Sequence, residues 1–403
     1  MNKQITKTNR RRKAASAIAV TLGAIFFGVA LTGSSRREFI PVAQAADHEM
    51  KCYSEGFDRD GDGYASLNTE DAKSAYRLFQ WDGKGKTNCP QHYVRFINDC
   101  NDRDAEVNAG KPERALNGKD DNCNQRIDEP TFEYFENGNN NTTYSFEMLV
   151  YLNSQDVIDQ ISAGRLYAKV EYARLRDSEN VLNREPFLVN MFNREGTAAR
   201  INVAVGNGDS ATVFHARVRF YRRADDGKFH RLGELSDWYY TMTNGESDKT
   251  RTRAHIVLKG FKEYFDSLNA NVGYRGNVDV DGTRYSASRN EIWCSEFYAW
   301  VTKTWLPGVA GSNTTDDLID FFRDNNAFYS TGEIPSQAAP GDYLPIDSNK
   351  DGDVNHSGMF LAYDSTKNLV WSLEGNSGDK VGVNTREMEE IRGLGYLTRS
   401  ELR

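Results

Sequence analysis

The chain has 403 residues, of which 38% are apolar, 12% aromatic and 27% charged, and 50 Lys and Arg against 58 Asp and Glu give a formal net charge of −8. That length suits two or three domains, and the composition excludes a coiled coil, a disordered acidic tail and a multi-span membrane protein. Beyond residue 45 no run of basic residues of the kind that neutralises phosphates stands out, which argues against nucleic acid as a partner.

Residues 1–45 are a different kind of sequence. Lys3, Lys7, Arg10, Arg11, Arg12 and Lys13 precede an apolar run from Ala14 to Thr32, and the small-residue site Ala43-Gln44-Ala45 follows. A basic start, an apolar middle and a small-residue end predict a signal peptide over residues 1–45, with an uncleaved membrane anchor as the alternative. On that reading the remaining chain carries about −15. It is expected to be secreted, periplasmic or at the cell surface, with no stable membrane span after cleavage.

Residues 46–130 are short of apolar periodicity and dense in Asp, Asn, Gly and Cys. Such a segment cannot bury a large core and needs disulfides or metal ions to hold a fold. Cys52, Cys89, Cys100 and Cys123 form an even local group, which in an exported protein predicts disulfides, with three pairings open. Asp58, Asp60 and Asp62 before Gly63 place alternate carboxylates around a sharp turn, as at the start of a calcium loop. Position 12 of such a loop is Thr69, with Glu70 one place late, so a plain EF-hand is not expected. Asp120, Asn122 and Asn124, followed by Asp128, repeat the one-three-five spacing, and Asp99 and Asn101 lie between the two sets. These residues are the candidate metal ligands of a disulfide- and calcium-stabilised, loop-rich module.

Several spaced elements in this region resemble the MopE-type metal-binding motif. They are Gly61-Asp62-Gly63-Tyr64, Asn98-Asp99-Cys100-Asn101-Asp102, Val107-Asn108-Ala109-Gly110 and Asn117-Gly118-Lys119-Asp120-Asp121-Asn122-Cys123. The likeness spans about residues 56–129 and implies a calcium-stabilised surface or exported module. This chain departs from the motif at Leu116, where the family has a cysteine, and at Gln125, where it has a glycine.

Residues 131–249 carry apolar and polar residues in alternation over 143–151, 166–172 and 211–221, the period of half-buried strands. Asn207-Gly208 and Asp226-Gly227 are turn signals between such runs. The region is predicted to be β-rich and of unknown role, with His215 and His230 structural or at the surface.

From residue 250 the period changes. Ile256, Val257, Leu258, Phe261, Tyr264, Phe265 and Leu268 recur at helical spacing, and further helices are expected at about 295–305 and 315–324. Strands are expected at 358–363 and 369–373. Helices followed by strands predict an α+β domain over residues 250–403.

Cys294 stands 171 residues beyond the nearest other cysteine, at the head of a helix whose inner face is supplied by Phe297, Tyr298, Val301 and Trp305. Free N–H groups and the positive end of the helix dipole there favour a thiolate. His356 precedes an apolar strand and is the candidate base; Glu374 or Asn376, at the end of the next strand, is the candidate group to orient its ring. Asp347, Asn349, Asp351 and Asp353 repeat the calcium spacing just before His356, and a bound cation is expected to fix that loop.

Four blocks in order resemble the CHAP family of papain-like cysteine, histidine-dependent amidohydrolases and peptidases. They are Trp293-Cys294-Ser295-Glu296-Phe297, Pro340-Gly341-Asp342, Asn355-His356-Ser357-Gly358 and Leu373-Glu374-Gly375-Asn376. The resemblance implies a papain-like fold, with Cys294 as nucleophile, His356 as base, Glu374 as orienting group and Asn376 as an auxiliary polar group. It implies an exported enzyme acting on amide bonds of peptidoglycan or another amide-containing cell-surface polymer. The other readings are a non-enzymatic calcium-binding surface or adhesion protein and a cysteine protease acting on protein.

Overall fold

The computed structural model describes residues 49–397 except 68–74, 81–91, 95, 98, 109–110, 112, 114–116, 124, 129, 135–139, 152–154, 192–197, 272–284, 286–292, 330–335 and 378–379. The predicted signal peptide, Cys89 and Asn124 lie outside the described residues. Everything described belongs to one unit, Ala46–Arg403.

The first part is thin. The strand Glu49–Ser54 pairs antiparallel with Tyr76–Gln80 and Tyr93–Val94, and Tyr64–Ala65 runs parallel to Phe96–Ile97. Among the described residues its own apolar cluster is Tyr53, Ala65 and Leu67. The disulfide Cys100–Cys123 and side-chain-bonded turns help to hold the loops. Of the four cysteines, Cys100 and Cys123 are joined, and Cys52 sits on the first strand.

The next region is sheet-rich. Its main elements are β1 (Ser145–Tyr151), α1 (Gln155–Ser162), β2 (Leu166–Arg174), β3 (Ala198–Ala204), β4 (Val213–Arg223), β5 (Phe229–Leu232) and β6 (Tyr239–Met242). β3 pairs with β1, and β4 pairs with β2, β5 and β6, all antiparallel. Period two governs β2: Leu166, Ala168, Val170 and Tyr172 are buried, while Tyr167, Lys169 and Glu171 between them are half-buried. Asp226-Gly227 lies between β4 and β5, and Gly227 supplies the left-handed φ of 82°.

The last region contains α2 (Asp248–Asn271), α3 (Cys294–Thr302) and α4 (Thr315–Asp324), then β7 (Tyr343–Ile346), β8 (His356–Asp364), β9 (Leu369–Glu374) and β10 (Gly382–Glu387). β7 to β10 are consecutive in an antiparallel sheet extended by the short strands Leu394–Gly395 and Phe328–Tyr329. α3 stops at Thr302, short of the expected 305, and Pro307 opens a 3-10 turn just beyond. α4 starts at a capping box: the Thr314 hydroxyl accepts from the Asp317 N–H, and the Asp317 carboxylate accepts from the Thr314 N–H. One apolar cluster runs from Tyr134 and Phe146 through Phe261 and Phe297 to Leu397. The architecture is therefore mixed helix and sheet, with sheet dominant.

Candidate functional site

β9 and β10 build one side of the site by register. Glu374 lies opposite Gly358 of β8 and Gly382 of β10, while Ser372 lies opposite Asn384. His356, two residues before Gly358, is then a diagonal neighbour of Glu374. Gly358 lets Glu374 and Ile346 pack close to β8: a Cβ there would meet Ile346 Cδ1 at 3.1 Å and Glu374 Cγ at 3.2 Å. Glu374 is fully buried, and its Oε2 is 3.0 Å from His356 Nε2. The same carboxylate accepts from Arg386 Nε at 2.8 Å, Arg386 Nη2 at 2.6 Å, Asn384 Nδ2 at 2.7 Å and Ser372 Oγ at 2.5 Å. Burial opposes its charge, but the Arg386 and His356 hydrogen bonds bring it down to about 2.

α3 supplies the thiol. Cys294 is its first residue, free of any disulfide and 2% exposed. Glu374 holds Nε2 of His356, and the ring lies close enough to Cys294 to act on the thiol. Burial pushes the Cys294 thiol up; the hydrogen bond and charge of His356, with the N–H of Ser357, outweigh it and leave the thiol below its ordinary value. Burial likewise opposes the imidazolium, but Cys294 and Glu374 together raise His356 to about 9. These opposed shifts favour a thiolate–imidazolium pair.

Behind the sulfur runs a buried line of hydroxyls. Ser295 Oγ is 4.0 Å from Cys294 Sγ and 2.9 Å from Ser357 Oγ, which is 3.0 Å from Tyr343 Oη; Tyr343 in turn donates to the Thr315 carbonyl at 3.3 Å. Gly375 lets the end of β9 lie against α3, since a Cβ there meets Phe297 Cγ at 2.8 Å and Trp293 Cε3 at 3.0 Å. Asn376 is half-buried with φ of 55°, and it is not among the groups bonded to His356 within the described residues. Asp342, in the Pro340-Gly341-Asp342 turn, pairs with buried Arg253 at 2.7 Å and accepts from the Leu397 and Ala339 N–H groups, which braces the turn.

The acidic residues fall into three settings. Asp58, Asp60 and Asp62 converge, with one oxygen of each within 4.8 Å of the others, and are the one such group of three His, Cys, Asp or Glu among the described residues. Asp99 is drawn towards them because Tyr64–Ala65 pairs with Phe96–Ile97 and the Asp99 N–H donates to the Ala65 carbonyl. Asn101 gives its N–H to Asp99 Oδ1 at 2.8 Å. The second setting is the loop closed by the disulfide. There Asp120 accepts from the Gln125 N–H, Asp128 accepts from Asn117 and Gly118, and Asn122 gives its N–H to Glu113 at 3.3 Å. Glu113 is a hub that the sequence reading missed: it is buried and also accepts from the Asp121 and Asp128 N–H groups. It lacks one-three-five spacing, so only its burial reveals it.

The third setting is the loop before His356. Asp347 is buried and accepts from Arg392 and from the Asp351 and Gly352 N–H groups. Asn349 donates to Asp351, the Asp353 N–H donates to Asp351, and Asn355 donates to Asn349. Arg392 and the loop's own hydrogen bonds hold these residues together.

Residues 99–129 match the Cu-binding MopE family, described as "Putative metal-binding motif". No curated protein and no solved structure matches the chain. The matched stretch contains no His or Met, and its two cysteines are joined to each other. Its donors are oxygens, a set that suits a hard cation better than copper. No helix among the described residues is long and apolar enough to cross a membrane.

Proposed function

We propose that the protein is an exported CHAP-type, papain-like cysteine hydrolase that cleaves amide bonds in peptidoglycan or a similar amide-containing cell-surface polymer, and that its N-terminal module binds calcium for stability. The observation that carries the catalytic reading is that His356, held through Nε2 by buried Glu374 at 3.0 Å, lies close enough to Cys294 for the two groups to shift each other's proton affinity. In this mechanism the Cys294 thiolate attacks the amide carbonyl, and the imidazolium of His356 gives its proton to the departing amine. Water then enters, His356 takes one of its protons, and the thioester breaks to release the acid and restore the thiol. Glu374 keeps the ring in position and balances its charge, while Arg386 holds Glu374. The backbone N–H of Cys294, at the head of α3, is a donor for the developing oxyanion.

Export is supported by the signal-like residues 1–45 and by the disulfide. The polymer substrate is supported by the order of the four CHAP-like blocks. The test is release of soluble fragments from purified sacculi, with mass spectrometry locating the cleaved bond. Cys294→Ala is expected to lower the rate by about a thousandfold or more, and iodoacetamide is expected to label Cys294 rapidly near neutral pH. Equal activity in the Ala variant would dismiss the hydrolase reading. Cleavage of a protein substrate beside intact sacculi would replace it with a protease acting on protein.

A further inference from the structure

We infer that the face of the β2–β4–β5 sheet turned away from the core binds a carboxylate-bearing glycan chain. Lys169 and Arg219 hold a carboxylate there, and Tyr167, Tyr221 and Phe229 lie against the sugar rings. The inference rests on the reading of the protein as a hydrolase of such a polymer. It goes further in giving the sheet-rich region a role: a second place, made of none of the residues around Cys294, at which the polymer is held.

Register places the side chains. Leu166, Ala168 and Val170 of β2 enter the core, so Tyr167, Lys169 and Glu171 belong to the opposite face. Directly opposite them on β4 stand Tyr221, Arg219 and Arg217, and a directly opposed pair shares a face. Glu171 is answered by Arg217, whose Nε and Nη2 donate to its Oε2 at 2.8 and 2.7 Å. Lys169 and Arg219 are two cations set directly against each other, an arrangement that is destabilising without an anion between them. Arg219 reaches Glu234 at 3.9 Å, beyond hydrogen-bond range. Its side chain is only 17% exposed, and its Nε is buried with no hydrogen-bond partner. Among the described residues no carboxylate pairs with Lys169. A guanidinium so enclosed and so poorly answered is a donor prepared for an anion from outside the chain.

The neighbouring row selects the kind of anion. Tyr167 and Tyr221 are opposed and half-buried, exposed Leu188 lies opposite Tyr167 on its other side, and the exposed ring of Phe229 meets Tyr167 edge to face at 5.0 Å. Exposed Arg223 and Arg231, opposite Phe229 and Tyr221, rim these rings. An apolar patch with a polar rim marks an interaction site. A tyrosine presents a flat apolar face with a hydroxyl at its edge, which matches the C–H face and hydroxyls of a sugar ring. The planar fork of Arg219 matches a carboxylate. Charge points the same way: the chain carries −8, so this basic face is a local exception complementary to an anionic partner. A single opposed pair of cations beside rings suits one carboxylate per repeat of a glycan rather than the closely spaced phosphates of nucleic acid.

The test is co-sedimentation with purified sacculi of the full chain carrying Cys294→Ala, so that the polymer stays uncut. Binding is expected to saturate, to weaken as salt is added, and to be lost on sacculi whose carboxylates have been amidated. Adding Lys169→Gln is expected to weaken binding by about tenfold, and adding Phe229→Ala by about threefold or more. Arg323→Gln, which removes the same charge from an exposed position on α4, is expected to bind as the parent does. Phe229→Ala serves as the second variant should Lys169→Gln lose its far-UV circular dichroism. Equal binding by the folded variants, undiminished binding to amidated sacculi, or an equal loss in Arg323→Gln would overturn the inference and leave the hydrolase reading intact. That reading fails separately, if the unmodified chain releases no fragments from sacculi. Lys169-dependent binding to phosphatidylglycerol vesicles in preference to sacculi, or Lys169-dependent dimerisation without polymer, would also overturn the inference, assigning the face to a membrane or to a second copy.

Discussion

Glu374 and Asp99 are both buried acids, yet their surroundings drive them in opposite directions. At Glu374 burial is outweighed by Arg386 and His356, and the carboxyl falls to about 2. At Asp99 burial is reinforced by Asp62 and Asp60, and despite the Asn101 N–H the carboxyl is pushed up to about 6. The C-terminal site carries its own counter-charges on neighbouring strands, whereas the N-terminal loops collect negative charge around buried oxygens. A buried acid is thus informative about a ligand only when the groups that answer it are counted.

Removing the answering charge at the C-terminal site is the strongest way to break this contrast. Arg386→Met leaves Glu374 buried and poorly compensated, and chemical denaturation is expected to show a loss of about 3–5 kcal/mol. Adding Glu374→Gln to that variant should recover much of it; a loss in the single variant within error of zero would mean that Arg386 does not sustain the carboxylate. Varying pH sharpens the contrast with a smaller effect. Because Glu374 is depressed from 4.5 to about 2, its contribution to stability is present above 4.5 and is lost as pH falls from there towards 2. Because His356 is raised from 6.5 to about 9, its contribution is present below 6.5 and is lost as pH rises through 9. Unfolding free energies measured across pH should show both limbs, and Glu374→Gln should flatten them. The smallest effect belongs to the hydroxyl line. Ser357→Ala removes one neutral hydrogen-bonding group worth about 1 kcal/mol, so the pH profile of Cys294 alkylation should move upward by less than about one unit. An unmoved profile would separate those hydroxyls from the sulfur.

Much of the secondary structure was legible because apolar period is local. Alternation over 143–151, 166–172 and 211–221 corresponds to β1, β2 and β4, and the helical spacing of Ile256, Phe261 and Phe265 corresponds to α2. Cys294, His356 and Glu374 were nameable from their chemistry and their places at element ends, and the structure brings them together. Arg386 was not, because its bond to Glu374 depends on the register of β9 against β10, which no local pattern specifies. Ser357 was hidden for the same reason. The one-three-five acid spacing was also ambiguous: the same spacing yields converging oxygens at Asp58, Asp60 and Asp62 but an arginine-closed turn at Asp347. The partner of Asp347 is Arg392, 45 residues away in sequence, which the local spacing does not reveal.

The glycine at 375 has a practical consequence for anyone who would redesign this protein. With no room for a methyl group between the strand end and the rings of Phe297 and Trp293, the helix that bears the sulfur and the strand that bears the acid are locked as a single rigid block. Substitutions meant to leave Cys294 and Glu374 in place belong in the loops around that seam, because altering it would shift both side chains at once.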